Sequence, residues 1–121
     1  MNTKKTLVIG ASENTARYSN MAIHRLLSHN QPVVAIGHKK GNVEGVEIVT
    51  EYPAINDIDT VTLYLNPTNQ IPYYDYILSL KPKRIIFNPG TENAELEAIA
   101  EDAGIKVMEA CTLVLLGTGQ Y

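Results

Sequence analysis

The chain has 121 residues, 45% of them hydrophobic and 19% charged, a composition that suits one globular domain with its own core and excludes a disordered chain. With 10 basic and 13 acidic residues the net charge is −3, which argues against a general nucleic-acid binder, whose surface would carry a basic stripe. One cysteine excludes a disulfide framework or an all-cysteine zinc site within the chain, and no apolar run approaches the roughly 20 residues of a membrane span.

The N-terminal stretch carries Lys4 and Lys5 before the apolar Leu7, Val8 and Ile9, a run too short for a signal peptide. The expectation is a cytoplasmic protein forming a single domain over residues 1–121. Apolar, β-branched runs then alternate with helical stretches. A strand over 6–9 ends at Gly10, and a helix over 19–28 carries Met21, Ala22, Ile23, Leu26 and Leu27, with Ser19 or Asn20 as its cap. A second strand over 32–36 ends at Gly37, and the chain from there to residue 59 reads as a loop. The third strand, 60–65, stops at Asn66 and Pro67. Pro67 suits the first turn of a helix over 67–80 that carries Ile71, Tyr74, Ile77, Leu78 and Leu80. A fourth strand, 84–87, stops at Asn88, Pro89 and Gly90. The helix over 91–103 has Glu92 and Glu95 near its start and Gly104 just past its end, and a fifth strand follows over 105–108. Residues 113–116 are expected to cap the domain, with a dimer contact as the other use. Strands that stop at turn residues and are separated by helices predict an α/β Rossmann-like domain: a doubly wound parallel sheet of about five strands with helices on both faces.

In such sheets the ligand crevice lies beyond the carboxyl ends of the strands, so the candidate segments are 10–19, 37–41, 65–68, 88–92 and 109–112. The first of them is not Gly-x-Gly-x-x-Gly, because Ser12 and Thr15 stand where further glycines belong. Its backbone N–H groups, with the Ser12 and Thr15 hydroxyls, can still meet a phosphate at a helix N-terminus. Arg17 can reach a pyrophosphate, and Tyr18 can cover an adenine or a pantetheine arm. After the second strand, where an NAD domain carries an acidic ribose clamp, the chain has His38, Lys39 and Lys40. Basic residues there suit an extra ribose phosphate, as on NADP or coenzyme A. Asn66, Pro67, Asn88, Pro89 and Gly90 form strand-end turns whose backbone can line the crevice. Cys111 follows the last strand without a visible base, and His24 and His29 are spaced five apart, unlike a helical metal pair. No metal site is expected.

Over residues 5–112 the chain resembles the small stand-alone CoA-binding proteins, which are similar to the N-terminal domain of the succinyl-CoA synthetase alpha subunit. The resemblance rests on residues 8–12 after the first strand, 36–41 after the second, Asn66 and Pro67, the run 88–93, the helix end at 98–104 and one cysteine after the last strand. It implies binding of coenzyme A with its nucleotide end on the first two loops. With Gly10 at the strand end before them, Ala11, Ser12 and Glu13 match a phosphate-facing loop, Lys40 matches a nucleotide-facing lysine, and Phe87, Asn88 and Pro89 match a crevice-lining strand end. Gly37 and His38 depart from the Asn-Pro that small members carry after the second strand, and Asn66-Pro67 stands where they often show Arg-Pro. The larger enzyme's phosphohistidine lies in a domain this chain lacks, so its ligase chemistry is not implied.

The function expected from these readings is non-catalytic binding of coenzyme A or an acyl-CoA through the strand-end loops. The alternatives are an NADP-dependent reductase or CoA-thioester enzyme subunit, and a regulatory protein-interaction module with a lapsed nucleotide site. The expected partners are a small nucleotide cofactor and a second copy or another protein, not nucleic acid or a membrane.

Overall fold

A computed structural model describes residues 3–121; Met1 and Asn2, on which the leader reading and the domain bounds also fall, lie outside the described residues. The elements in chain order are β1 (Thr6–Ile9), α1 (Tyr18–Ser28), β2 (Val33–Ile36), β3 (Gly41–Val43), β4 (Val46–Val49), β5 (Thr60–Leu63), α2 (Pro67–Gln70), α3 (Tyr74–Leu80), β6 (Arg84–Phe87), α4 (Ala94–Asp102), β7 (Lys106–Glu109) and α5 (Thr112–Gly117). The strands form one sheet in the order β3-β4-β2-β1-β5-β6-β7. Only β3, against β4, runs antiparallel.

β1 sits between β2 and β5, so the chain leaves the sheet centre in opposite directions in its two halves. Right-handed crossovers then put α1 on one face and α3 and α4 on the other. Alternate residues of β1 divide accordingly. Leu7 and Ile9 join Leu63, Ile77, Phe87 and Leu96 in one core, while Val8 joins Ile23, Leu26, Ala35 and Leu116 in the other.

Seven strands, not five, make the sheet. The two additional strands come from the stretch that reads as a loop. Val43 pairs with Val46 across a two-residue turn at Glu44 and Gly45, both left-handed with φ of 51° and 85°. That is the primed turn whose twist suits a hairpin, but its usual Asn-Gly or Asp-Gly signature is replaced by Glu-Gly. Asn42 supports the turn, its Oδ1 accepting from the Gly45 N–H at 3.0 Å.

The helices also differ in detail. Pro72 has no N–H to extend α2, so residues 71–73 tighten into a 3₁₀ turn and the expected helix over 67–80 is broken in two. Ser19 and Asn20 are buried inside the first turn of α1, and Arg17 occupies the cap position without a side-chain capping bond. Asn93 caps α4, its Oδ1 accepting from the Leu96 N–H at 3.2 Å. Residues 113–116 lie in α5, which seats Leu116 in the core. No helix among the described residues is long and apolar enough to cross a membrane.

One carboxylate pair gives the fold a pH signature. Burial, and then Glu109 beside it, hold the Glu97 carboxyl above the usual glutamate range, with Glu101 adding to the effect. A raised folded value means that the stabilisation is present below the unfolded pKa and is lost as pH rises through the folded one. Glu109→Gln is therefore expected to raise stability at neutral pH by less than about 1 kcal/mol, because the pair is partly exposed. The gain should vanish near about pH 3, where the Glu97 carboxyl is protonated and carries no charge to be repelled. Urea unfolding at the two pH values checks this; an equal gain at both would disprove the repulsion.

Candidate functional site

The four central parallel strands deliver their loops to one end of the sheet. The first loop leaves β1 through Gly10, and the N–H groups of Gly10 and Ala11 both donate to the Ile36 carbonyl, at 2.9 and 3.0 Å. This ties the first loop to the end of β2. Within the loop, Ser12 Oγ accepts from the Asn14 N–H at 3.0 Å, and Asn14 Oδ1 accepts from the Ala16 N–H at 2.9 Å. Asn20 Nδ2 reaches back from α1 to the Ser12 carbonyl at 3.0 Å. These bonds fix the loop before any ligand arrives. The Ser12 hydroxyl accepts from Asn14 and so keeps its own proton to donate. The amides of Tyr18 and Ser19 open α1 with no acceptor among the described residues, and Arg17 does not cap them.

A crevice of about 640 Å³ opens at this end, beside β1 and between its two neighbours. Gly10, Ala11, Ser12, Arg17, Tyr18, His38, Asn66, Pro89 and Gly90 all line it. The structure places the other candidates elsewhere. Glu13 turns outward, and its Oε2 accepts from the Asn42 N–H at 2.8 Å, joining the first loop to β3. Lys39 and Lys40 are exposed between His38 and β3, outside the lining. Pro67 is exposed at the start of α2 and outside the lining as well.

Asn88 is buried and works inside the fold. Its Nδ2 donates to Thr62 Oγ1 at 2.7 Å and to the Leu63 carbonyl at 2.9 Å, and its Oδ1 accepts from the Thr112 N–H at 2.9 Å. Thr15 faces a separate hollow along α1 with Met21, His24 and Arg25. Cys111 is half-buried at the start of α5 and outside the crevice lining.

The crevice is completed by Ala16, Ser19, Tyr64, Leu65, Asn69 and Thr91. All but Tyr64 and Asn69 lie in the candidate segments, though nothing about their side chains marked them out. Tyr64 directly follows β5, and burial pushes its phenol pKa well above the usual range. It therefore stays protonated at physiological pH and cannot serve as a base. Arg17 is the one permanently charged residue of the lining, with His38 the one imidazole and no carboxylate among the described residues there. The lining thus favours an anion. The apolar Leu65 and Pro89, and the ring of Tyr18, 69% exposed, supply surface for a flat or extended apolar group.

A mostly parallel sheet wound in both directions, with its crevice where the strand order reverses, defines a Rossmann-like α/β domain. The family model for the CoA binding domain matches residues 4–117, and the chain belongs to that family. Among solved structures, an uncharacterized protein is 53% identical to this chain over 100% of both chains, with a TM-score of 0.97. A hypothetical protein from Pyrococcus horikoshii OT3 is 26% identical, covering 93% of this chain and 81% of that one, with a TM-score of 0.84. The protein cell-free ID.343 from Thermus thermophilus, 19% identical over 98% of this chain and 91% of its own, shares the fold with a TM-score of 0.85. No curated protein matches the chain.

Proposed function

We propose that this protein binds coenzyme A or an acyl-CoA in the strand-end crevice, without catalysing a reaction on it. The observation that carries this reading is the anion-favouring lining: Arg17, the open amides of α1 and the Ser12 hydroxyl converge on one crevice free of carboxylates, in a chain of the CoA binding domain family. The pyrophosphate would take the helix start and Arg17. Tyr18 would cover an apolar part of the ligand. Lys39 and Lys40, exposed and next in sequence to the lining residue His38, are the cations that would meet a ribose 3′-phosphate.

Calorimetric titration with coenzyme A, 3′-dephospho-coenzyme A and NADP tests the reading. Binding of coenzyme A in preference to NADP is expected, and preference for NADP would favour a reductase subunit. Arg17→Ala should weaken coenzyme A binding by about 1–3 kcal/mol, the scale of a charge-assisted bond, with little change in stability because its side chain makes no cap. Unaltered affinity in that variant would remove Arg17 from the site.

A further inference from the structure

We propose that Gln70 is a positioning residue that sets the spacing between two walls of the crevice. This rests on the coenzyme reading for its functional meaning, but the geometry stands without a ligand. Gln70 is fully buried at the end of α2. Its Nε2 donates to the Leu65 carbonyl and to the Thr91 carbonyl, each at 2.8 Å. Leu65 and Thr91 both line the crevice, one after β5 and the other after β6.

The β5–β6 ladder ends with Leu63 opposite Phe87, and beyond it no backbone hydrogen bond among the described residues joins the two segments. One side-chain nitrogen therefore spans the gap at the level of the crevice. Its orientation is set as well: Asn93 Nδ2 donates to Gln70 Oε1 at 2.9 Å, so the amide cannot turn over without losing all three bonds. Asn93 is held in turn by the Tyr74 hydroxyl, which donates to Glu95. Only a primary amide fits this position, since it gives two N–H groups from one atom and accepts a third bond beside them. A carboxylate has the same shape and neither donor. A neutral carboxylic acid can serve one carbonyl but not both.

Two measurements on the full chain test this. In the free protein, Gln70→Met should speed amide hydrogen exchange in residues 64–69 and 89–91 together, with α1 unaffected. A folded Gln70→Met protein with unchanged exchange in either segment would overturn the proposal. For coenzyme A, Gln70→Met should bind about tenfold more weakly, the equivalent of one lost buried bond. Ile105→Ala, a core truncation at the other end of the sheet, should leave affinity unaltered despite its lower stability. Equal losses in the two variants would reduce Gln70 to a general stability role.

Gln70→Glu supplies a readout that packing alone would not move. Its affinity relative to wild type should rise as pH falls from about 8 to 5, as the carboxyl gains a proton and can again serve one carbonyl. The ratio to wild type cancels the charged and titratable groups common to both proteins: Arg17 and His38 of the lining, Glu95, reached through Tyr74, and Glu97, whose carboxylate accepts from the Asn93 N–H at 3.2 Å. A flat ratio would contradict the assignment. If the wild-type chain does not bind coenzyme A, the coenzyme reading fails, and hydrogen exchange still decides the role of Gln70.

Discussion

Gly10→Ala is expected to destabilise the protein by about 3 kcal/mol or more, combining backbone strain with a clash. Gly10 has φ +93°, a region that side chains with a Cβ avoid. A Cβ there would also lie 2.8 Å from the Tyr64 carbonyl oxygen and 3.1 Å from the Leu65 side chain. Neither wall is free to retreat. The Gly10 N–H is bonded to the Ile36 carbonyl, and the Tyr64 N–H donates to the Ile9 carbonyl at 2.9 Å. The substitution must therefore push the end of β1 away from β5 at the crevice floor, and coenzyme affinity should fall with stability. Gly45→Ala separates the two contributions. Gly45 has a similar φ of +85° but open space where a Cβ would go, so only the conformational cost of about 1 kcal/mol applies. Urea unfolding of the two variants checks the difference, and equal losses would show that close approach at Gly10 contributes nothing.

Asn88→Ala should cost about 3 kcal/mol or more, because it removes three hydrogen bonds at a site 2% exposed. The Thr112 amide loses its acceptor, and the Leu63 carbonyl loses the donor that reaches it from the end of β6. The Thr62 hydroxyl keeps its contact with the Thr112 hydroxyl, at 2.8 Å. α5 starts at Thr112 and contributes Leu116 to the core, so its docking should loosen first. Asn88→Asp should restore the acceptor but not the donors. A buried aspartate with a raised pKa would make that variant more stable in acid than at neutral pH. Thermal unfolding across pH measures both variants. A loss of coenzyme affinity in Asn88→Ala without a loss of stability would instead return Asn88 to the binding surface.

These two positions show how far a sequence can be read. Gly10 was legible because an apolar run ending at a glycine marks the carboxyl end of a strand, and that end is where a parallel sheet opens its crevice. The same rule selected Asn88, a strand-end residue of similar appearance. Its burial follows from the three-dimensional register of β5, β6 and α5, which brings residues 62, 88 and 112 together, and no local pattern encodes that juxtaposition. Loop side chains lack periodicity, so nothing in the order of residues 10–19 shows that Ser12 faces the crevice while Glu13 turns to Asn42. The β3–β4 hairpin was hidden because strands of three and four residues are too short for alternation to stand out, and its turn lacks the usual asparagine or aspartate. Gln70 carried no signal at all. Read as part of one long helix it is an ordinary polar residue, and the break at Pro72 goes with a path that buries it between two strand ends.

In the proposed reading coenzyme A occupies the crevice where the strand order reverses. Amide chemical-shift mapping by NMR during titration with coenzyme A tests it most directly. Saturable shifts are expected in residues 10–19, at His38, in 64–69 and in 90–91, with little change at Lys5, Asp57 and Lys83 around the opposite end of the sheet. Shifts confined to that opposite end, or a spectrum unmoved by millimolar coenzyme A, would contradict it.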